Sequence, residues 1–137
     1  MEINKISKTE EDTYNLGVKY SKGLIPGSVI GLIGELACGK TTFVKGVLKG
    51  LGYKYDVTSP TFTLINEYYA KVKVFHIDFY RDSNLLRWQN IGFEEILNSN
   101  GIVIIEWADL LPQLLPPYID KIYFEHYNNQ YRKIYSK

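Results

Sequence analysis

The sequence is short of cysteine and of long apolar runs, and each shortage excludes a class of protein. The single cysteine, Cys38, excludes an intrachain disulfide framework and a cysteine-rich zinc site. The apolar runs, of which residues 102–105 are typical, fall far below the roughly 20 residues that a membrane-spanning helix needs. We therefore expect neither a disulfide-stabilised protein nor one that contacts the membrane.

An excess of charge of either sign is also missing. Lysine and arginine total 16 against 15 aspartate and glutamate residues, which gives a net charge of +1. Proteins that bind nucleic acid through a broad basic field need a clear cationic excess. Any contact with RNA is therefore expected to be local or to be made through a partner protein.

Length and composition are those of a small folded protein. The 137 residues, of which 45% are hydrophobic and 23% charged, suit one compact domain over residues 1–137. Met1 is followed by Glu2 and a polar run, so we expect no secretory signal and a cytoplasmic location.

Helical and strand-like patterns alternate along the chain. Thr9 and the acidic residues after it resemble a capping box that begins a helix over residues 10–22. Residues 28–33 predict a strand buried on both faces. Further elements are predicted as a helix over 41–51, a strand hairpin over 61–69 and 72–79, a helix over 85–97 broken near Gly92, and strands over 102–105, 121–126 and 131–135. This order predicts a three-layer α/β domain with a central, mostly parallel sheet and an antiparallel extension.

A phosphate-binding loop lies between the first buried strand and the second helix. Residues 34–41 (GELACGKT) fit the pattern G-x-x-x-x-G-K-[ST] at every fixed position. Gly34 and Gly39 allow backbone conformations that turn consecutive amides onto phosphate oxygens. Lys40 supplies a charge between the terminal phosphates, and the Thr41 hydroxyl is a Mg²⁺ ligand. The loop predicts a P-loop nucleotide-binding domain.

Two acidic residues are candidates for the carboxylate that a P-loop enzyme needs at the end of a neighbouring strand. Asp78 ends one predicted apolar strand and Glu106 ends another, and the pattern alone does not choose between them. Residues 59–63 (SPTFT) allow two interpretations: the hydroxyls of Thr61 and Thr63 face the γ-phosphate, or the segment simply enters an edge strand.

Two further side chains are interpreted as structural. His76, in the middle of a predicted strand, is expected to be a satisfied or partly buried imidazole. Cys38, inside the phosphate-binding loop, is expected to be a small side chain that fits there, rather than a thiolate favoured by the helix N-terminus.

Four segments in order resemble the bacterial TsaE (YjeE) family: SVIGLIGELACGKTTFVKGVLKGLG, SPTFTLINEY, HIDFYR and IIEWAD. Thr13, Leu16 and Gly17 also resemble the TxxLG segment of that family, so the resemblance covers nearly the whole chain. It implies an ATPase required for the threonylcarbamoyladenosine modification of tRNA. It also implies two partner proteins, TsaB and TsaD, of which TsaD carries the transferase chemistry, with tRNA contacted at most indirectly.

The resemblance also implies ATP and Mg²⁺ as ligands and a role for individual residues. Lys40 and the loop backbone would hold the phosphates, Thr41 and Glu106 the Mg²⁺, and Asp78 would assist hydrolysis. The remaining implied nucleotide contacts are Glu35, Leu36, Ala37, Cys38, Gly39 and Thr42 in the loop, and Thr9 and Arg132 at the base end. The family usually has Gly and Ala where this chain has Ala37 and Cys38.

Arginine is scarce, and this bears on the rate and on the alternatives. The chain has three arginines, whereas phosphoryl-transfer enzymes often use arginine to stabilise transition-state charge. We therefore expect weak ATPase activity alone and dependence on a partner. A small-molecule kinase would need several arginines and a lid, and a GTPase would need an N-K-x-D motif that this sequence does not contain. An ATP-sensing adaptor that does not hydrolyse ATP would keep every binding residue.

Overall fold

The computed structural model describes residues 1–35, 38–57 and 64–137. In chain order the strands are β1 (Asn4–Ser7), β2 (Val29–Gly34), β3 (Ile65–Tyr69), β4 (Lys73–Asp78), β5 (Ile102–Glu106), β6 (Asp120–His126) and β7 (Arg132–Ser136). The α-helices are α1 (Glu10–Ser21), α2 (Lys40–Gly50), α3 (Leu85–Asn90) and α4 (Phe93–Leu97), and two short 3-10 helices follow β5 at Ala108–Leu110 and Pro112–Leu114. None of the described helices is long and apolar enough to cross a bilayer.

All of these strands belong to one sheet in the order β1-β7-β6-β2-β5-β4-β3. The central strands β6, β2, β5 and β4 are parallel to one another, whereas β1, β7 and β3 pair antiparallel at the two edges. The predicted α/β class, with a mostly parallel centre and an antiparallel extension, is confirmed. That residues 1–137 form a single domain stays a prediction.

The central strands are buried because helices cover both faces of the sheet. Alternate residues of β5 point to opposite sides: Ile102 and Ile104 join the core under α1 and α2, and Val103 and Ile105 join the core with Trp88 and Phe93 of α3 and α4. A strand that is covered on both faces consists of consecutive apolar residues, and for this reason β2 and β5 could be predicted from the sequence.

Helices α1 and α2 cross at very short range. A β-carbon added at Gly46 would lie 2.0 Å from the carbonyl oxygen of Tyr14, and one added at Gly17 would lie 2.3 Å from that of Phe43. Real β-carbons do not approach backbone oxygens so closely, so these positions accept only glycine without a shift of the helices. The close crossing brings α1 against the first turns of α2, next to the phosphate-binding loop.

The structure differs from the sequence interpretation mainly at β1. Its four residues, NKIS, carry no strand pattern of their own, and the strand exists because it pairs with β7 at the other end of the chain. The break near Gly92 is confirmed, since Gly92 adopts a φ of 89° between α3 and α4. The predicted hairpin is confirmed as β3 and β4, but the predicted start of its first strand, residues 61–63, lies outside the described residues.

Candidate functional site

The candidate site lies at the carboxyl ends of three neighbouring parallel strands. Glu106 at the end of β5 is level with Leu32 of β2 on one side and with Asp78 of β4 on the other. The phosphate-binding loop follows β2 directly. After β2 the chain forms β3, β4 and β5 on one side of β2 and then crosses to form β6 on the other side. In α/β sheets, a point at which the strand order reverses in this way opens a crevice that binds ligands.

The two glycines of the loop motif, Gly34 and Gly39, are needed for different reasons. Gly39 caps the N-terminus of α2 with a φ of 95°, in the left-handed region that residues with a β-carbon rarely adopt. Gly34 has no such φ; a β-carbon there would lie 2.5 Å from the carbonyl oxygen of Phe124. The expectation that both glycines supply special backbone conformations is therefore borne out at Gly39, whereas Gly34 permits the close approach of β6.

Lys40, in the first turn of α2, is buried and turned toward its own loop. Its ammonium donates hydrogen bonds to the carbonyl oxygens of Gly34 and Glu35, and lies 4.0 Å from the centre of the Trp107 ring. Burial lowers the pKa of Lys40 below its ordinary value, and the nearby carboxylates of Glu106 and Asp78 oppose that shift. This cation lies where the strand-end carboxylates and the helix N-terminus meet.

Glu106 is held by a buried imidazole. His76 Nε2 lies 2.5 Å from Glu106 Oε2, and the two side chains are 0% and 5% exposed. Within the described residues, the other ring nitrogen, Nδ1, is buried without a hydrogen-bond partner. This arrangement fits an imidazole that donates from Nε2 and fixes the orientation of the carboxylate. His76 was interpreted as a structural residue, but it contacts a predicted site residue directly.

Asp78 is level with Glu106 but has different partners. Its Oδ1 accepts a hydrogen bond of 2.8 Å from the backbone N–H of Tyr80. Burial raises the pKa of the Asp78 carboxyl, and the neighbouring Glu106 carboxylate adds to the shift, while hydrogen bonds from the backbone of Tyr80 and Arg81 oppose it. A carboxyl group with a raised pKa beside a second carboxylate is a common feature of catalytic sites.

A cavity of about 740 Å³ opens in front of these groups. Its volume is within the range of roughly 300–1,000 Å³ that small-ligand sites occupy. The structure brings together at this cavity most of the predicted site residues: Thr9, Cys38, Gly39, Lys40, Thr41, Thr42, Asp78, Glu106 and Arg132. Exposed Glu35 does not line it, although its carbonyl oxygen accepts from Lys40. Leu36, Ala37 and residues 59–63 lie outside the described residues.

The start of α1 reaches the cavity through its capping residue. Thr9 Oγ1 accepts from the backbone N–H of Asp12 at 3.0 Å, as the capping-box pattern predicts. The reciprocal bond differs from that pattern, because the Asp12 carboxylate accepts from the N–H of Lys8 rather than of Thr9. Ser7 and Thr13 are joined by a hydroxyl hydrogen bond of 2.6 Å below this turn. These bonds fix Thr9 at the cavity wall.

Cys38 is almost completely buried. Burial raises the pKa of its thiol, and the neighbouring Lys40 and Arg132 cations oppose the shift without reversing it. This direction agrees with the interpretation of Cys38 as a small side chain that fits the loop, and not with a thiolate.

Two aromatic residues at the cavity were not predicted from the sequence. Trp107 covers the Lys40 ammonium, and the ring of Tyr80 packs against Trp107 with the ring centres 4.7 Å apart. The indication was present, since each follows a predicted strand-end carboxylate by one or two residues. The Trp107 ring shields one side of the Lys40 ammonium from water, which strengthens the electrostatic interactions of that cation.

No cluster of three His, Cys, Asp or Glu side chains that would hold a metal ion by itself exists among the described residues. Mg²⁺ in nucleotide sites is bound instead by one or two protein oxygens together with substrate phosphates. Thr41 and Glu106, which both line the cavity, are the predicted oxygen donors. They fit such an ion by their chemistry.

Comparisons with known proteins give one consistent result. A family model described as threonylcarbamoyl adenosine biosynthesis protein TsaE matches residues 7–134. A Treponema pallidum protein named tRNA threonylcarbamoyladenosine biosynthesis protein TsaE is 40% identical over 113 residues, which are 82% of this chain and 84% of the relative. A protein of the same name from a Nostoc species is 41% identical over 128 residues, covering 88% and 79%. The crystal structure of Bacillus subtilis YdiB is similar with a TM-score of 0.85 at 30% identity, over 99% of this chain and 84% of that one.

Proposed function

The chain belongs to the TsaE family, which serves tRNA threonylcarbamoyladenosine biosynthesis, and on that premise we propose that it binds and hydrolyses ATP with Mg²⁺. The observation that carries the proposal is the meeting of Lys40, Glu106 and Asp78 beside the first turn of α2 in one cavity. A helix N-terminus and a buried lysine attract phosphates. Two strand-end carboxylates beside them are the groups that phosphoryl transfer to water requires.

Each residue has a distinct proposed role. Lys40 leaves the carbonyl oxygens of its loop and neutralises the terminal phosphates, while Thr41 and Glu106 hold the metal ion. A bound Mg²⁺ would supply neutralisation of the charge that develops on the phosphates. Asp78 orients the attacking water and Thr9 and Arg132 contact the base end of the nucleotide.

The isolated chain is proposed to turn over slowly and to act with TsaB and TsaD. Phosphoryl-transfer enzymes use arginine to stabilise transition-state charge. Of the three arginines, Arg87 forms an ion pair of 2.6 Å with Asp82 and does not line the cavity, which leaves Arg81 and Arg132 there. Hydrolysis would reset or release the partner complex, and the setting would be the cytoplasm.

The experiment combines calorimetry with phosphate release. Wild-type protein should bind ATP in the presence of Mg²⁺, and Lys40→Ala should weaken binding roughly ten- to a hundred-fold, because a hydrogen bond to a charged group contributes about 1.5–3 kcal/mol. Glu106→Gln should keep most of the ATP affinity but lose phosphate release measured with TsaB and TsaD. Lys19→Ala, an exposed lysine of α1, is the matched control and should change neither quantity.

Three outcomes would contradict the proposal in different ways. If the wild-type protein takes up no ATP, the nucleotide site itself is wrong. Binding without any phosphate release in the presence of both partners would favour an adaptor that senses ATP. Transfer of the phosphate to a nucleoside or sugar acceptor would identify a kinase.

A further inference from the structure

A second depression, of about 520 Å³, lies at the carboxyl-terminal end of α2 and shares no lining residue with the candidate site. We call it the lysine–tyrosine patch, after the six residues that give it its character: Tyr14, Lys45, Lys49, Tyr53, Lys54 and Tyr55. Asp56 is its acidic lining residue. The role proposed for the chain as an ATPase does not use any of these side chains.

The patch concentrates positive charge that the overall composition hides. Residues 41–55 contain three lysines and no acidic residue, although the chain as a whole has a net charge of only +1. Lys45 and Lys49 are exposed four residues apart on α2, and like charges at that spacing destabilise a helix by about 0.2–0.5 kcal/mol. Within the described part of the chain, no carboxylate forms an ion pair with Lys45, Lys49 or Lys54. The patch therefore presents cations that its own structure does not neutralise.

The tyrosines of the patch are held at different depths. Tyr53 packs its ring 5.0 Å from that of buried Tyr68, which ties it to the core. Tyr55 contacts Tyr53 edge-on at 5.6 Å, yet it is 78% exposed. An aromatic ring presented beside unpaired lysines is the arrangement with which proteins stack nucleic-acid bases and neutralise the adjoining phosphates.

We propose that the lysine–tyrosine patch binds RNA directly, with its lysines on the phosphates and Tyr55 stacked on an unpaired base. RNA is favoured over an acidic protein segment, because lysines alone would suffice for carboxylates and would not use an exposed ring. Family membership places the chain in a pathway that modifies tRNA, so an RNA partner is at hand. The proposed contact is local and direct, unlike the at most indirect contact with tRNA that the family resemblance implies, and it does not depend on ATP hydrolysis.

The test measures fluorescence anisotropy of a labelled, unmodified tRNA transcript with the full chain at several salt concentrations. The triple variant Lys45→Ala, Lys49→Ala, Lys54→Ala should weaken binding roughly ten- to a hundred-fold at low salt and make the salt dependence shallower by about 2 to 3 in log–log slope. Tyr55→Ala should weaken binding about five- to a hundred-fold at an unchanged slope, and Tyr55→Phe should restore it. The first matched control is the triple alanine variant at Lys5, Lys19 and Lys137, which do not line the patch. The second is Tyr118→Ala, at a tyrosine that is also exposed and lies outside the patch.

Both directions of the result are defined. Loss of tRNA binding in the patch variants but not in the controls, with ATP affinity unchanged, supports the proposal. Equal tRNA binding by wild-type protein and patch variants would overturn it. The proposal would also be overturned if a polyglutamate peptide bound more tightly than tRNA and its binding did not change in Tyr55→Ala. That result would assign the patch to an acidic protein segment.

Discussion

Replacing His76 by leucine tests whether the buried imidazole positions the carboxylate of Glu106. The substitution introduces an apolar side chain of similar size and removes the His76 Nε2 donor, which lies 2.5 Å from Glu106 Oε2. Because both side chains are buried, water cannot replace that donor. Leaving a buried carboxylate without its hydrogen-bond donor costs about 1–3 kcal/mol. For a protein of this size such a loss corresponds to a decrease of roughly 3 to 12 °C in the melting temperature.

The same substitution is expected to affect catalysis. Residues that orient a metal ligand typically contribute about 10- to 100-fold to activity or metal affinity. His76→Leu should therefore raise the Mg²⁺ concentration required for half-maximal phosphate release, or lower kcat, by that factor, with the KM for ATP nearly unchanged. His76→Gln, which retains an amide donor, should recover part of both losses.

A double-mutant cycle separates positioning from packing. In the Glu106→Gln background the carboxylate charge is gone, so His76→Leu should cost clearly less in urea unfolding than the about 1–3 kcal/mol expected for the same change in the wild-type background. Equal costs in the two backgrounds would refute the argument, because they would show that His76 contributes only volume. A Mg²⁺ dependence and a kcat that are both unchanged in His76→Leu would refute its positioning role.

Three further predictions concern the helix crossing, the second carboxylate and the cysteine. Gly46→Ala should lower the unfolding free energy measured in urea by about 1–3 kcal/mol, because the new methyl group meets the Tyr14 carbonyl oxygen at 2.0 Å. The control, Gly23→Ala, should not destabilise the protein, because the nearest atom to the new methyl group is 3.8 Å away. Equal effects of the two substitutions would contradict the packing argument. Burial raises the pKa of Asp78 in the folded protein above its ordinary value of 3.8, so the folded protein holds this proton more tightly than the unfolded chain does. The stability that this proton contributes at low pH is lost as pH rises through the folded-state pKa. Asp78→Asn should therefore be more stable than wild type at pH 7, with the advantage gone below pH 3.8, and a difference in unfolding free energy that does not change with pH would be evidence against it. Cys38 should react slowly with iodoacetamide at pH 7 and more slowly still with ATP, and equal labelling rates with and without nucleotide would exclude it from the phosphate site.

The residues that can be recognised from the sequence are those whose signal is local. The motif of the predicted phosphate-binding loop lies in eight consecutive residues, and Asp78 and Glu106 could be recognised because each ends a run of apolar residues. A strand buried on both faces has to be apolar along its whole length, so β2 and β5 were predicted to within one residue. The family resemblance rested on these same segments.

Features that depend on distant pairing were not predictable. His76 was assigned a structural role because nothing next to it in sequence shows that it lies against Glu106, 30 residues away. Strand β1 carries no local pattern and forms by pairing with β7. Trp107 became part of the site only because its ring lies over Lys40.

The sequence by itself indicated the chemistry that we propose for this protein, from a loop with the phosphate-binding motif, two strand-end carboxylates and a resemblance to a family in tRNA modification. The tertiary structure decided which groups act on one another. Register in the parallel sheet set Glu106 level with Asp78, the glycine-lined crossing of α1 and α2 brought Thr9 to the cavity, and folding gathered the lysines of the patch on one surface. The physical reason is that motifs are written in consecutive residues, whereas hydrogen bonds, burial and electrostatic fields depend on distances between residues that the chain brings together only on folding.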